Sequence, residues 1–164
     1  MREGDKTIGI YPADNYTVSY SINFPHPLIG QESFKVELSN GSYVEQIAAA
    51  RTFGFLEQQQ AMLNMGLIRG ATRESCLVLT RDGIDNGPLR FPDEFVRHKV
   101  LDLIGDLALF GKRVLGYVKA DRAGHAMHTA IVSRVLRDPT YWEEVTVDEH
   151  AAPDFPEEQL AVAD

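Results

Sequence analysis

The sequence is short of cysteine, of long apolar runs and of uncompensated positive charge, and each shortage excludes something. A single cysteine, Cys76, rules out an internal disulfide. A reducing cytosol is the simplest setting, and Cys76 reads first as a small core residue. No apolar run approaches the roughly 20 residues of a membrane span, and the opening MREGDKT lacks the apolar core of a signal peptide. There is no basic excess to suggest a nucleic-acid surface, because the formal net charge is −8. No internal repeat is visible.

What is present supports one compact domain: 164 residues with 44% apolar content can enclose a real core. The negative charge is local. Residues 143–164 carry eight acidic side chains and no Lys or Arg, which leaves residues 1–142 balanced at sixteen of each sign. The body is therefore neutral. Residues 1–144 read as the domain, and residues 145–164 as an acidic, disordered tail.

Residues 6–12 and 15–24 alternate apolar and polar positions and are rich in β-formers. They predict antiparallel strands joined around Ala13, Asp14 and Asn15. Pro25 and Pro27 then break the chain, with His26 in a structural turn. Phe34 to Leu38 reads as a strand, Asn40-Gly41-Ser42 as a turn and cap, and Tyr43 to Ala50 as a helix. ARTFGF turns sharply at its glycine and becomes extended. Leu56 to Met65 suits a short helix closed by Gly66, and Ser75 to Thr80 a buried strand. Further on, Gly111 ends a helix, Arg113 to Ala120 reads as a strand, and Ala123-Gly124-His125 opens a helix reaching about Leu136.

The chain is organised around residues 90–106. Pro92 suits a first helical turn, and Asp93 and Glu94 place negative charge at the positive end of the helix dipole. From Phe95 onward, apolar residues cover most of the helix circumference and leave one arc for His98, Lys99, Asp102 and Asp106. The four-residue spacing stacks His98, Asp102 and Asp106 on successive turns. Two interpretations fit that arc. It is a polar stripe with an intrahelical His–Asp contact, or it offers an imidazole and a carboxylate to one divalent cation such as zinc.

LRFPDEFVRHKVLDLIGD, with INFPHPLIG, ARTFGF and GHA in the same order, resembles the C-terminal half of the bacterial UDP-3-O-acyl-N-acetylglucosamine deacetylases. These are the zinc enzymes of lipid A synthesis. The resemblance runs from about Gly4 to Trp142 and implies the second of two similar α/β domains. The expected fold is α+β: a two-layer sandwich of a mixed or antiparallel sheet packed on helices, with a small βαβ insert at about residues 51–80.

The same resemblance implies roles. His98 and Asp102 would be two of three protein ligands to zinc. Lys99 would meet substrate phosphate or oxyanion charge. His125 would be an acid or electrostatic partner, oriented by Asp106. Thr52 would place a hydroxyl near the reacting carbonyl, and Phe24, Phe53 and Phe55 would present ring faces to the sugar and nucleotide. Met62, Leu67, Ile68 and Cys76 are candidates for lining a passage for the acyl chain, with ordinary core packing as the other explanation. His128 departs from the family pattern, where asparagine is usual. Gln58 stands where an acidic residue is common.

The implied substrate is UDP-3-O-acyl-N-acetylglucosamine, and the implied location is the cytoplasm of a Gram-negative type bacterium. The third zinc ligand and the glutamate base would come from an N-terminal domain, since neither H-x-x-E-H nor H-E-x-x-H occurs here. Two functions follow: half of a zinc amidohydrolase, inactive without that domain, or a non-catalytic module binding a nucleotide sugar and acyl chain.

Overall fold

Alternation along Tyr16–Phe24 decides which way the main sheet faces. Val18, Tyr20 and Ile22 are buried, while Asn23, between Ile22 and the half-buried Phe24, is exposed. The computed structural model describes residues 1–39, 41–58, 64–66, 72 and 74–146. Its strands are β1 (Arg2–Glu3), β2 (Lys6–Tyr11), β3 (Tyr16–Phe24), β4 (Gly30–Glu37), β5 (Thr52–Phe55), β6 (Cys76–Leu79) and β7 (Gly116–Asp121). The helices that bear on the site are α1 (Ser42–Gln46), α2 (Glu94–Leu107) and α3 (His125–Arg137).

Five strands form one mixed sheet in the order β1-β2-β7-β3-β4. β2 and β3 are both strands, as their alternation predicts, but they are not neighbours. β7 lies between them, antiparallel to β2 and parallel to β3, with Val118 opposite both Ile10 and Val18. Burial explains the placement. Val118 and Ala120 are at most 1% exposed, and a strand this dry needs backbone partners on both edges. The outer strands carry charge, Arg2 and Glu3 on β1, Glu32, Lys35 and Glu37 on β4. Charge on an edge strand discourages pairing with another chain.

Both long helices cover one face of this sheet. Phe95, Val96, Val100, Leu103 and Leu107 of α2 are buried against the inward residues of β3 and β7, beside Met127, Ile131 and Val132 of α3. The result is a two-layer α+β sandwich. Pro92 falls in the turn ahead of α2, not in its first turn. Asp93 is the N-cap residue but makes no side-chain cap. Instead Glu32 reaches from β4, and its carboxylate accepts from the Val96 N–H at 3.1 Å. A turn of 3₁₀ helix follows, and Gly111 closes it at φ 71°, a left-handed position that glycine reaches without Cβ strain.

β5 and β6 form a separate parallel pair, Thr52 opposite Cys76 through Phe55 opposite Leu79. Leu77 and Leu79 nevertheless join the common core. Residues 56–58 are helical, and Gly66 has φ 72° as a helix stop would. Met62, Leu67 and Ile68 lie outside the described residues. No helix among the described residues is long and apolar enough to cross a membrane.

Candidate functional site

α2 delivers the polar arc that its spacing predicts, and it is half-buried. His98 and Asp102 are 13% and 14% exposed, with His98 Nε2 at 3.3 Å from Asp102 Oδ1. Two ligand atoms on one tetrahedral zinc stand about 3.4 Å apart, given bond lengths near 2.0–2.2 Å. This pair therefore already has the separation of a tetrahedron's edge. The other ring nitrogen, Nδ1, is 3.1 Å from the Ala50 carbonyl. A carbonyl only accepts, so Nδ1 carries the hydrogen and Nε2 keeps its lone pair. Burial pushes the His98 pKa down, against the raising influence of Asp102 and the Ala50 contact. The ring is thus held neutral and in the tautomer a metal ligand requires.

Asp102 divides its carboxylate. Oδ1 faces His98, and Oδ2 accepts from Lys99 Nζ at 2.7 Å. The Lys99 ammonium also lies 5.8 Å from the centroid of the Phe53 ring. Phe53 packs edge-on to Phe24 at 5.5 Å, and Phe24 meets Phe55 at 6.5 Å. All three rings are half-buried on the core. The fold thus brings Phe24, Phe53, Phe55 and Lys99 onto one surface beside His98 and Asp102. Thr52 begins β5 two residues after Ala50, whose carbonyl holds His98.

A second cluster sits where α3 begins. His125 Nδ1 is 2.6 Å from Asp106 Oδ2, and His125 Nε2 is 3.8 Å from Asp102 Oδ2. His128 Nδ1 contacts the same Asp106 oxygen at 2.8 Å. Asp106, His125 and His128 could hold a metal ion, their ligand atoms all lying within 4.8 Å of one another. The two contacts to Asp106 are nevertheless hydrogen bonds in length, shorter than the edge of a zinc tetrahedron. His128 is 1% exposed, and its burial lowers its pKa against the pull of Asp106.

Two polar features lay beyond what the sequence announced. Glu94 is fully buried and pairs with Arg51: Arg51 Nε donates to Oε1 at 2.9 Å and Nη2 to Oε2 at 3.0 Å. The Arg51 and Arg90 backbone N–H groups donate to the same carboxylate. Burial alone would raise the Glu94 pKa, but these donors and the Arg51 charge outweigh it and hold the group below the usual range. Tyr20 is the other. Its hydroxyl donates to the Ala123 carbonyl at 2.6 Å and stands 3.2 Å from His128 Nε2. An inward tyrosine on a strand needs a hydroxyl partner, and that was the only sequence signal for it. Cys76 is half-buried, and burial pushes its thiol pKa up, which disfavours the thiolate. His26 Nε2 lies 3.1 Å from the Thr80 carbonyl, which ties its turn to the residue just after β6.

The sequence model of the UDP-3-O-acyl N-acetylglycosamine deacetylase family matches residues 1–137. The UDP-3-O-acyl-N-acetylglucosamine deacetylase of Anaeromyxobacter dehalogenans is 48% identical over 140 residues, covering 85% of this chain and 46% of the relative. That of Myxococcus xanthus is 42% identical over 142 residues, covering 86% and 45%. That of Solibacter usitatus is 43% identical over 153 residues, covering 93% and 52%. The chain spans about half the length of the curated relatives it matches.

Proposed function

From the premise that the chain belongs to the UDP-3-O-acyl N-acetylglycosamine deacetylase family, we propose that it supplies one half of a zinc-dependent deacetylase site. The reaction is hydrolysis of the acetamide of UDP-3-O-acyl-N-acetylglucosamine, an early step toward lipid A, in the cytoplasm. Residues 1–144 act as the second domain of that enzyme. The third metal ligand and the general base come from an N-terminal domain. One observation carries the reading: on α2, His98 and Asp102 stand at the edge length of a zinc tetrahedron, with Lys99 and the pair between Asp106 and His125 of α3 beside them.

His98 and Asp102 fit zinc in donor type and separation, and the Ala50 contact leaves His98 Nε2 as the free donor. When bound, zinc supplies Lewis acidity toward the amide carbonyl and makes water easier to deprotonate. The remaining chemistry belongs to the chain's own groups. The Ala50 carbonyl fixes the His98 ring. Lys99, free to trade its contact with Asp102, meets the negative charge of the substrate phosphates or of the carbonyl oxygen. His125 protonates the leaving amine or offsets the charge that develops there, and Asp106 keeps its ring aimed. Thr52 presents a hydroxyl toward the same oxygen. Phe24, Phe53 and Phe55 offer ring faces to the sugar and base. Cys76, with Met62, Leu67 and Ile68, belongs to the acyl passage.

Titration of the isolated chain with UDP-N-acetylglucosamine, followed by amide NMR, tests the binding surface. Shifts centred on Phe24, Phe53, Phe55 and Lys99 are expected, and Lys99→Met should weaken them. Shifts confined to the outer face of the sheet would overturn the placement. A chain that binds the sugar nucleotide but never completes a deacetylase would be a binding module, and the activity measurement closing the Discussion separates the two.

A further inference from the structure

His128 is buried, polar and left without a role in the chemistry above, yet it closes a ring of contacts. Tyr20 of β3 donates its hydroxyl to the Ala123 carbonyl at 2.6 Å and stands 3.2 Å from His128 Nε2. His128 Nδ1 lies 2.8 Å from Asp106 Oδ2, and that same oxygen lies 2.6 Å from His125 Nδ1. Ala123 and His125 are two residues apart, so the circuit returns to its start through the backbone that opens α3. Three elements and one turn are joined in it. Tyr20 and His128 are at most 1% exposed, whereas the His125 side chain is 65% exposed. An exposed imidazole on a single carboxylate would ordinarily wander.

We propose that His128 is a positioning residue for His125, acting through Asp106, while the Tyr20 hydroxyl fixes the Ala123 carbonyl just ahead of His125. An ionised carboxylate accepts and never donates, so both imidazoles that touch Asp106 Oδ2 must present Nδ1–H to it. The buried His128 donor fixes which way the Asp106 carboxylate points. The fixed oxygen then selects the Nδ1–H form of His125 and leaves its Nε2 free on the side facing Asp102. Free neutral histidine prefers the opposite form, with hydrogen on Nε2. The tautomer of His125 therefore reports whether the anchor acts. Tyr20 also holds the Ala123 carbonyl, so the same network sets where α3 starts and hence where His125 leaves the backbone. A histidine that merely filled space would do none of this, and its shape alone would suffice.

The functional meaning of that tautomer rests on the reading of His125 as the acid partner. The measurement does not. It uses the full 164-residue chain with ¹⁵N-labelled histidine at pH 8, where ordinary histidines are neutral. Ring nitrogens are detected through the carbon-bound ring hydrogens, with neither zinc nor substrate present. The unaltered protein should show His125 as the Nδ1–H form. His128→Leu should lose that pattern in favour of Nε2–H, and His128→Asn, whose amide can donate to Asp106, should restore it. Persistence of the Nδ1–H pattern in folded His128→Leu would overturn the proposal, as would identical spectra of His125 in the Leu and Asn variants. Should His128→Leu fail to fold, Tyr20→Phe carries the test. It keeps the ring and removes the hydroxyl, and it should mix the two His125 forms; an unchanged His125 there also overturns the proposal. Failure of the deacetylase reading would leave these spectra as they are.

Discussion

Glu94 and Arg51, distant in sequence, meet in a two-pronged ion pair with the carboxylate wholly out of solvent. Every lone pair of the carboxylate has a donor, because the Arg51 and Arg90 backbone N–H groups complete the set. The pair fastens the segment that carries Ala50 and Thr52 to the first turn of α2. His98 grips that same segment one turn later, through the Ala50 carbonyl.

Removing Glu94 should therefore be costly. Glu94→Ala leaves a guanidinium and two backbone donors without their acceptor, and breaking a buried pair this way typically costs about 3–5 kcal/mol. Urea unfolding should show it as a lower midpoint with an unchanged slope. The pH dependence has a definite sign. The Glu94 pKa is lowered on folding, so its contribution is complete above the ordinary carboxyl range and is lost as the pH falls through the folded value. Glu94→Gln should flatten that acid-side loss.

The secondary structure around the site was largely legible in the sequence, and its long-range wiring was not. The 3.6-residue pattern after Phe95 and the two-residue alternation of Tyr16–Phe24 are local signals, and α2 and β3 follow them. The insertion of β7 between β2 and β3 is not local. It follows from how dry Val118 and Ala120 become once the helices are in place. Glu94 illustrates the same limit. Its position suggested a charge at the positive end of the helix dipole, but a partner on another segment took it inside. His98 and Asp102 were visible from spacing alone. The pairing of Asp106 with His125 entered only through the family resemblance, because helix periodicity says nothing about which helix lies opposite. His128 was marked as a departure from the pattern, and its partner Tyr20 looked like another inward strand residue.

Zinc should bind the isolated chain weakly. Two protein ligands leave the site open, so the affinity should fall well short of the ~10–16 kcal/mol of complete structural zinc sites. Calorimetric titration should give a shallow isotherm that His98→Ala abolishes. Stoichiometric zinc that survives dialysis against a chelator would mean that other residues complete the site, and Asp106, His125 and His128 would be the first to examine.

Truncation after Thr146 should leave the fold intact. Residues 147–164 carry six acidic side chains and no Lys or Arg, and such a composition contributes little to a core. The melting temperature should change by less than about 4 °C, the shift that roughly 1 kcal/mol produces in a domain of this size. A larger fall would show that this segment docks on the body.

The half-site claim is tested most directly by acetate release from UDP-3-O-acyl-N-acetylglucosamine, measured for the purified chain with zinc, alone and together with the N-terminal domain of a related deacetylase. Alone, the chain should show no enzymatic turnover, since loss of a general base typically costs about 10² to 10⁴ in rate and loss of a firmly held metal costs more. With the added domain, turnover should appear, and Asp102→Ala should abolish it. Turnover by the chain alone that disappears on His125→Ala would place a base within these residues and contradict the account.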